Sequence, residues 1–462
     1  MAWSRDVVLT LAAASATSVL AAACARQPAP TPKAAEPKPP RIERLLPGSE
    51  NDWEPALAVG PGGKVYVTAG RQKGTPRDKG FSQQIVIWRS DDGGASWKGP
   101  SVVSDKSAMQ GDQRVAVGAD GTVLVSYIAL GGTPEKPLGL LELARSTDGG
   151  ETFTVTTVTD ELVSDKPELA VSADGRDVYL FYESRPGPRL IASYDHGRTW
   201  GKGQVVVPSE GRHFWPTGLA VAPDGVLWAA VPSVSNADIQ KGQTTDSSLH
   251  VFRSADVGAS WQEFDFGKSS RVLNGCAHFP DCFVKVNSIG LAVDAKGRAY
   301  VAYTEGEAKK PYRLFFKSTE DGGKTWSAPV RLSEAKRPAS QDEADADFTH
   351  VAAGGDGRVC VTWVDDRTGD RNFWARCSAD AGRTFGAETL LSNRTDGASY
   401  KSPAGFKVFH GDYGGVALTP ESGLVAAWGE GLGRAGTGAV WFNAFDPAAG
   451  AAQPGPGAGE PR

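Results

Sequence analysis

Six copies of one short pattern constrain this chain more than any other feature of its sequence. The pattern is Ser/Thr-x-Asp-x-Gly-x-Ser/Thr-aromatic. It occurs as Ser90-Asp-Asp92-Gly-Gly94-Ala-Ser96-Trp97, Ser146-Thr-Asp148-Gly-Gly150-Glu-Thr152-Phe153 and Ser193-Tyr-Asp195-His-Gly197-Arg-Thr199-Trp200. It returns as Ser254-Ala-Asp256-Val-Gly258-Ala-Ser260-Trp261, Thr319-Glu-Asp321-Gly-Gly323-Lys-Thr325-Trp326 and Ser378-Ala-Asp380-Ala-Gly382-Arg-Thr384-Phe385. The copies are spaced by roughly 45–65 residues, a period that suits a radial array of small sheets. The residue types are those of a tight turn. Asp accepts from nearby backbone N–H groups, Gly takes positive φ, and the hydroxyl residue helps close the loop. The aromatic then packs down between strands. Six equivalent Asp residues in equivalent turns read as scaffold, not as catalytic groups.

A second periodicity lies between the boxes. Each repeat opens with an apolar strand, turns at a Gly-containing loop and returns as another strand. Repeats 1 and 2 read Ala56-Leu-Ala-Val59 then Lys64-Val-Tyr-Val67, and Arg114-Val-Ala-Val117 then Thr122-Val-Leu-Val-Ser-Tyr127. Repeats 3 to 6 begin at Leu169, Leu219, Leu291 and Val351, and repeat 7 is Val416-Ala-Leu418 then Leu424-Val-Ala-Ala-Trp428. Seven repeats thus accompany six boxes. The seventh ends with a third strand, Gly438-Ala-Val-Trp-Phe-Asn-Ala-Phe445, and lacks a fourth. Arg41-Ile-Glu-Arg-Leu-Leu46 resembles the outer strands that follow the boxes and can fill that place. The expectation is an all-β, seven-bladed β-propeller of four-stranded antiparallel blades, closed by the N-terminal strand completing the last blade.

The pattern is the Asp box. Over nearly the whole mature length the chain resembles the bacterial neuraminidase repeat propellers of the sialidase superfamily. That resemblance implies three Arg clamping a substrate carboxylate, a Tyr nucleophile activated by Glu, and an Asp acid/base. Tyr413, in His410-Gly-Asp412-Tyr413-Gly-Gly, occupies the place of the family's Tyr at the start of the last inner strand. Arg71, Arg114, Arg185 and Arg367 supply a clamp, Glu183 or Glu305 the partner of Tyr413, and Asp52 the acid. The Arg-Ile-Pro segment that sialidases place before their first box is absent here.

In a four-stranded meander, loops alternate between two faces. The first turns of the repeats and the Asp boxes share one face and are short. The other face carries long connections, at 72–84, 232–247, 268–286, 333–346 and 392–409, which mark it as the binding face. Its candidate ligand-binding residues are Arg71, Arg114, Arg185, Arg367, Trp53, Trp215, Asp165, Asp347, His350 and Asp412. Arg suits a carboxylate or sulfate and Trp a sugar face, so the expected ligand is a glycan or another polyhydroxylated molecule. Three functions are consistent with this. The first is a glycan-active enzyme, by exo-sialidase-type hydrolysis or by β-elimination with Tyr413 and His410. The second is a glycan-binding propeller without catalysis, and the third a protein-binding module of envelope assembly.

The formal net charge of −5, with Lys and Arg scattered, argues against nucleic acid as a partner. No cofactor motif and no metal-ligand spacing is present, and the expected state is a monomer. Residues 1–24 read as a lipoprotein-type export signal, with an apolar run over 7–23 and Cys24 following small residues as in the bacterial lipobox. Residues 25–40 form a Pro/Ala-rich tether, 41–447 the propeller, and 448–462 a disordered tail. The expected location is the cell envelope through a lipid on Cys24, or the exterior after signal cleavage. Four cysteines then remain, and Cys276 with Cys282, and Cys360 with Cys377, are the expected disulfides.

Overall fold

The computed structural model describes residues 42–446 apart from 75–79, 108, 134–135, 160–164, 242–244, 272–288, 307–310, 338–339, 370, 394–413, 421–422 and 432–437. The fold is an all-β propeller. Strands in each repeat follow one another antiparallel from the inside outwards. In repeat 3 they are Asp165–Val171, Val178–Glu183, Arg189–Ser193 and Gln204–Val205. In repeat 6 they are Asp347–Ala353, Val359–Asp365, Asn372–Ser378 and Thr389–Leu390. Second strands are mostly apolar because both their faces are covered: every residue of Val178–Glu183, Val359–Asp365 and Leu424–Gly431 is buried. The outermost strands are only two residues long in repeats 3, 5 and 6, which limits the exposed edge.

The expected seven separate four-stranded blades are not what the hydrogen bonding gives. Five sheets are discrete blades, four of them with four strands and one with five. The sixth sheet is continuous over repeats 1 and 2 and has eight strands. A parallel bridge between Gln83 and Met109 joins its two halves. The five-stranded sheet belongs to repeat 4, whose first strand is split into Arg212–Phe214 and Gly218–Val221, both paired to Leu227–Ser235. The connection expected to be irregular over 232–247 is instead largely regular. That strand runs to Ser235, a short helix spans Asn236–Lys241, and the next strand is Thr245–Ser254.

Arg44–Leu45 pairs antiparallel with Gly438–Phe445 of repeat 7. Ser49 Oγ accepts from Val440 N at 2.8 Å, and Trp88 Nε1 donates to Pro47 O at 2.9 Å. Cores lie between consecutive repeats: Trp428 and Phe373 stack across repeats 6 and 7, while Trp88, Val67, Val440 and Phe442 share a cluster across repeats 7 and 1. The expected Cys360–Cys377 disulfide is present, linking directly paired residues of adjacent strands. Cys24, Cys276 and Cys282 lie outside the described residues.

The boxes form the turns their residues dictate. Ser90 Oγ donates to Asp92 Oδ1 and accepts from Gly94 N, both at 2.7 Å, while Asp92 accepts from Ser96 N at 2.8 Å. The same bonds recur around Asp148, Asp195, Asp256, Asp321 and Asp380. Each box Gly has positive φ and lies against the preceding repeat: Gly94 on Phe442, Gly197 on Leu143, Gly258 on Leu190, Gly323 on Phe264 and Gly382 on Phe316. The box aromatics pack at the same junctions, with Trp326 edge-on to Phe266 at 4.9 Å.

Two predictions follow from the boxes. Gly323 has φ +87°, and a Cβ there would enter the van der Waals envelope of the Phe264 ring. Gly323→Ala should therefore cost about 2–4 kcal/mol in a denaturant titration; an unchanged midpoint would rule out the box as a lock between repeats. Hydrogen bonds from the box hydroxyl and backbone hold the Asp92, Asp256, Asp321 and Asp380 carboxyls at about 2, and those of Asp148 and Asp195 lower still, against an ordinary 3.8. A depressed folded-state pKa stabilises the fold fully above the ordinary value and loses that effect as pH falls through the folded value. The melting temperature should drop between about pH 4 and pH 2, less steeply in Asp321→Asn.

Candidate functional site

The loop face is shaped by a bulge that recurs on the inner strands. Pairing slips between Trp53 and Ala56, Gly111 and Arg114, Asp165 and Glu168, and Asp347 and His350. In each case a non-glycine residue inside the slip has positive φ: Glu54 at 54°, Asp112 at 54°, Lys166 at 49° and Phe348 at 52°. Such angles are unfavourable for these residues, so four equivalent instances mark a built feature near the axis. Below the bulges lies an axial cavity of about 240 Å³, walled by Arg114, Glu168, His350 and backbone at Gly218, Gly290 and Gly414.

Most candidate residues on this face are engaged with their own repeat or the next one. Asp52 is fully buried, and its carboxylate takes Arg71 Nε at 2.8 Å, Ser49 Oγ at 2.7 Å and Glu50 N at 2.8 Å. Burial pushes this carboxyl above its ordinary value, although Arg71 and Ser49 pull the other way. Arg114 binds Glu168 at 2.6 Å. Arg367 pairs with Asp365 at 2.6 Å and with Glu388, and its guanidinium lies 3.8 Å above the Trp374 ring. Trp53 donates to Asn51 Oδ1 at 3.2 Å, and Asp347 is buried opposite Val364. The structure therefore places Arg71, Arg114 and Arg367 each against carboxylates of their own surroundings and gathers no common cluster of them with Arg185. Tyr413, Asp412 and His410 lie outside the described residues.

Three candidates do meet. Glu183, Arg185 and Trp215 line a larger cavity, about 650 Å³, where repeat 3 faces repeat 4. Glu183 ends the second strand of repeat 3, directly across from Asp165. The next residues turn through 184–188, with Ser184 Oγ donating to Gly187 O at 3.1 Å. This loop is tied to repeat 4 by Ser209 N donating to Pro186 O at 2.7 Å. A side chain at position 187 would collide with Val207 O, so only Gly allows the loop to sit this close. Across the opening, His213 Nε2 stands 3.1 Å from Glu183 Oε2, and the His213 and Trp215 rings are 4.1 Å apart at centroid. A carboxylate, an imidazole, an indole and an exposed guanidinium thus converge on one opening. Such a set can hydrogen-bond hydroxyls, stack on a sugar face and exchange a proton. The sequence does not announce the pairing of His213 with Glu183, and Arg212 and Asn236, which line the same opening, are not among the residues singled out from it. The adjacent basic and aromatic residues of Arg212-His213-Phe214-Trp215 were the available signal.

Comparison with known proteins agrees with this architecture. Residues 189–399 match a model described as a BNR repeat-like domain. A sialidase of Micromonospora viridifaciens is 30% identical over 244 residues, which cover 44% of this chain and 37% of that protein. The chain is an Asp-box propeller that resembles sialidases over part of its length. A xyloglucanase of Paenibacillus sp. is 25% identical to it over 210 residues, 42% of this chain and 19% of that protein. The propeller thus spans well under half the length of either relative. Among solved structures, an ulvan lyase of a new polysaccharide lyase family, bound to a repeat of glucuronic acid and sulfated rhamnose, superposes with TM-score 0.56 at 11% identity, covering 88% of this chain and 96% of that one. A Dyadobacter fermentans protein of unknown function reaches TM-score 0.50 at 14% identity, covering 87% and 97%. At these identities the likeness is one of fold.

The Asp52–Arg71 pair gives a test of the separation between scaffold and site. Arg71→Ala leaves a buried carboxylate without its cation, and should destabilise folding by about 3 kcal/mol while leaving ligand binding in the folded fraction unchanged. Equal stability with lost binding would instead place Arg71 in the site.

Proposed function

We propose that this propeller binds a glycan in the cavity between repeats 3 and 4 and acts on it there by acid–base chemistry. The observation that carries this reading is the Glu183–His213 pair, 3.1 Å apart and set beside Trp215 in an opening of about 650 Å³. That volume accommodates one to two sugar residues. Glu183 orients the imidazole, and His213 is placed to pass a proton to or from a sugar oxygen or a ring carbon–hydrogen bond. The similarity to a sialidase and a xyloglucanase supports a glycan as ligand, and the fold shared with an ulvan lyase keeps elimination beside hydrolysis.

Several finer features belong to the same reading. We count the eight-stranded sheet as two blades, which gives a seven-fold ring with Arg44–Leu45 completing repeat 7; inner strands from all seven repeats contribute to the axial cavity. Tyr413 with Glu183 and Asp52, carried by the sialidase resemblance, forms the alternative catalytic set. Export with lipidation at Cys24 is supported by the apolar run over 7–23 and by a disulfide of the kind favoured in oxidising compartments.

Mass spectrometry of a broad glycan panel incubated with the full chain tests the proposal. Products heavier by one water identify a hydrolase, and unsaturated products a lyase. Glu183→Gln and His213→Asn should each lower turnover by about 10²-fold or more with an unchanged melting temperature. Loss of turnover in Tyr413→Phe, with both cavity variants fully active, would move the chemistry to the sialidase-type set. A panel that is bound but left intact would reduce the function to glycan binding.

A further inference from the structure

Beside the Glu183–His213 pair, the wall of the same cavity holds a hydrogen-bonded chain that the proposed chemistry does not use. Its members come from four strand segments of repeat 4. Arg212 Nε donates to Ser233 Oγ at 2.9 Å, and Arg212 Nη2 donates to Ser233 O at 2.9 Å and Ser248 Oγ at 3.0 Å. Ser233 Oγ meets His250 Nε2 at 2.7 Å, and His250 Nδ1 meets Glu263 Oε1 at 2.6 Å. The directions follow from the ends. A carboxylate at Nδ1 puts the imidazole proton there, so Nε2 accepts from the Ser233 hydroxyl while the Ser233 oxygen accepts from Arg212. The register explains the alignment: Ser233 is paired with Phe214 and Ser248, and His250 with Asp265, so the four side chains lie on successive diagonals of one sheet face.

The chain holds Arg212 by two of its three nitrogens. Among the described residues its Nη1 has no partner and no carboxylate pairs with the guanidinium. Arg185, across the opening, is exposed and likewise without a described partner. Arg71, Arg114, Arg337, Arg367 and Arg371, all on the loop face, are by contrast paired with carboxylates. The lateral cavity thus carries two guanidiniums that form no ion pair among the described residues, one of them held in place by the chain.

Building on the proposed function, we infer that Arg212 is the anion-recognising residue of the cavity, positioned by the Ser233–His250–Glu263 chain, and that the glycan bound there carries an oxyanion, a carboxylate or a sulfate ester. Preorganisation is the physical reason for the chain: a guanidinium already fixed at Nε and Nη2 loses little freedom when Nη1 meets an anion. Ser233, His250 and Glu263 are positioning residues, since Arg212 alone of the four lines the opening.

The test is an NMR titration of the full chain with methyl glucuronide, methyl glucoside 3-sulfate and neutral methyl glucoside. We expect at least one anionic sugar to bind tenfold or more tightly than the neutral one, and the favoured arm identifies carboxylate or sulfate. Arg212→Gln should abolish the preference while keeping neutral-sugar contacts. Glu263 has a half-exposed side chain, so Glu263→Gln should fold normally and weaken only the anionic arm, several-fold. His250→Gln, which keeps an acceptor for the Ser233 hydroxyl, should retain more of the preference than His250→Leu. Equal affinity for all three sugars overturns this inference and leaves glycan binding standing. So does an anionic preference that survives Arg212→Gln or, should that variant not fold, Glu263→Gln. Absence of binding by any sugar rejects the proposed function and this inference together.

Discussion

The contact on which the rest of the structure depends is the seating of each Asp-box glycine against the repeat before it. A propeller has no central core, and its stability resides in the surfaces between neighbouring sheets. The box places a rigid turn at the edge of every such surface but the one between repeats 6 and 7. Ser90, Asp92 and Ser96 fix the turn by hydrogen bonds within seven residues, and the bare Gly94 backbone then lies on Phe442 with Trp97 beside it. Repetition of that arrangement sets the angle between sheets and frees the opposite face for irregular loops.

Polar groups on the loop face divide into two populations by what surrounds them. Near the axis, carboxylates and guanidiniums neutralise each other in pairs such as Asp52–Arg71 and Arg114–Glu168. Burying a charge without its partner is costly, so these pairs hold the bulged inner strands in register. Between repeats 3 and 4 the balance is different. Glu183 there faces an imidazole, and two guanidiniums form no ion pair among the described residues. The split first strand of repeat 4 creates the room for this opening, and the close approach of the 184–188 loop at Gly187 narrows it.

How much of this could be read from residues alone depended on how local each cause is. The boxes were legible because their bonds run between residues two to four apart. The disulfide was legible because Cys360 and Cys377 flank one hairpin. The inner-strand bulges were not, since Glu54, Asp112, Lys166 and Phe348 carry none of the Gly or Asn signals of positive φ. The merging of repeats 1 and 2 into one sheet rests on a single bridge at Gln83, which no periodicity announces. Arg212, Ser233, His250 and Glu263 each look like an ordinary polar position on a strand. Only the pairing registers bring them together, and the registers likewise set Arg71, Arg114 and Arg367 in separate ion pairs.

The pairing of Arg44–Leu45 with Gly438–Phe445 has a consequence for how the molecule is made. Ser49 and Val440 are hydrogen-bonded although 391 positions separate them. A ribosome releases the first of these long before it has synthesised the second. During that interval the outer edge of repeat 7 does not yet exist, and the N-terminal strand has no sheet to join. The contact between Arg44–Leu45 and the strand of repeat 7 is therefore of very long sequence separation, and such contacts form slowly. Until it occurs, Trp88 and Val67 of repeat 1 lack the apolar surface they meet at Val440 and Phe442. Apolar surface left uncovered in that interval is open to aggregation.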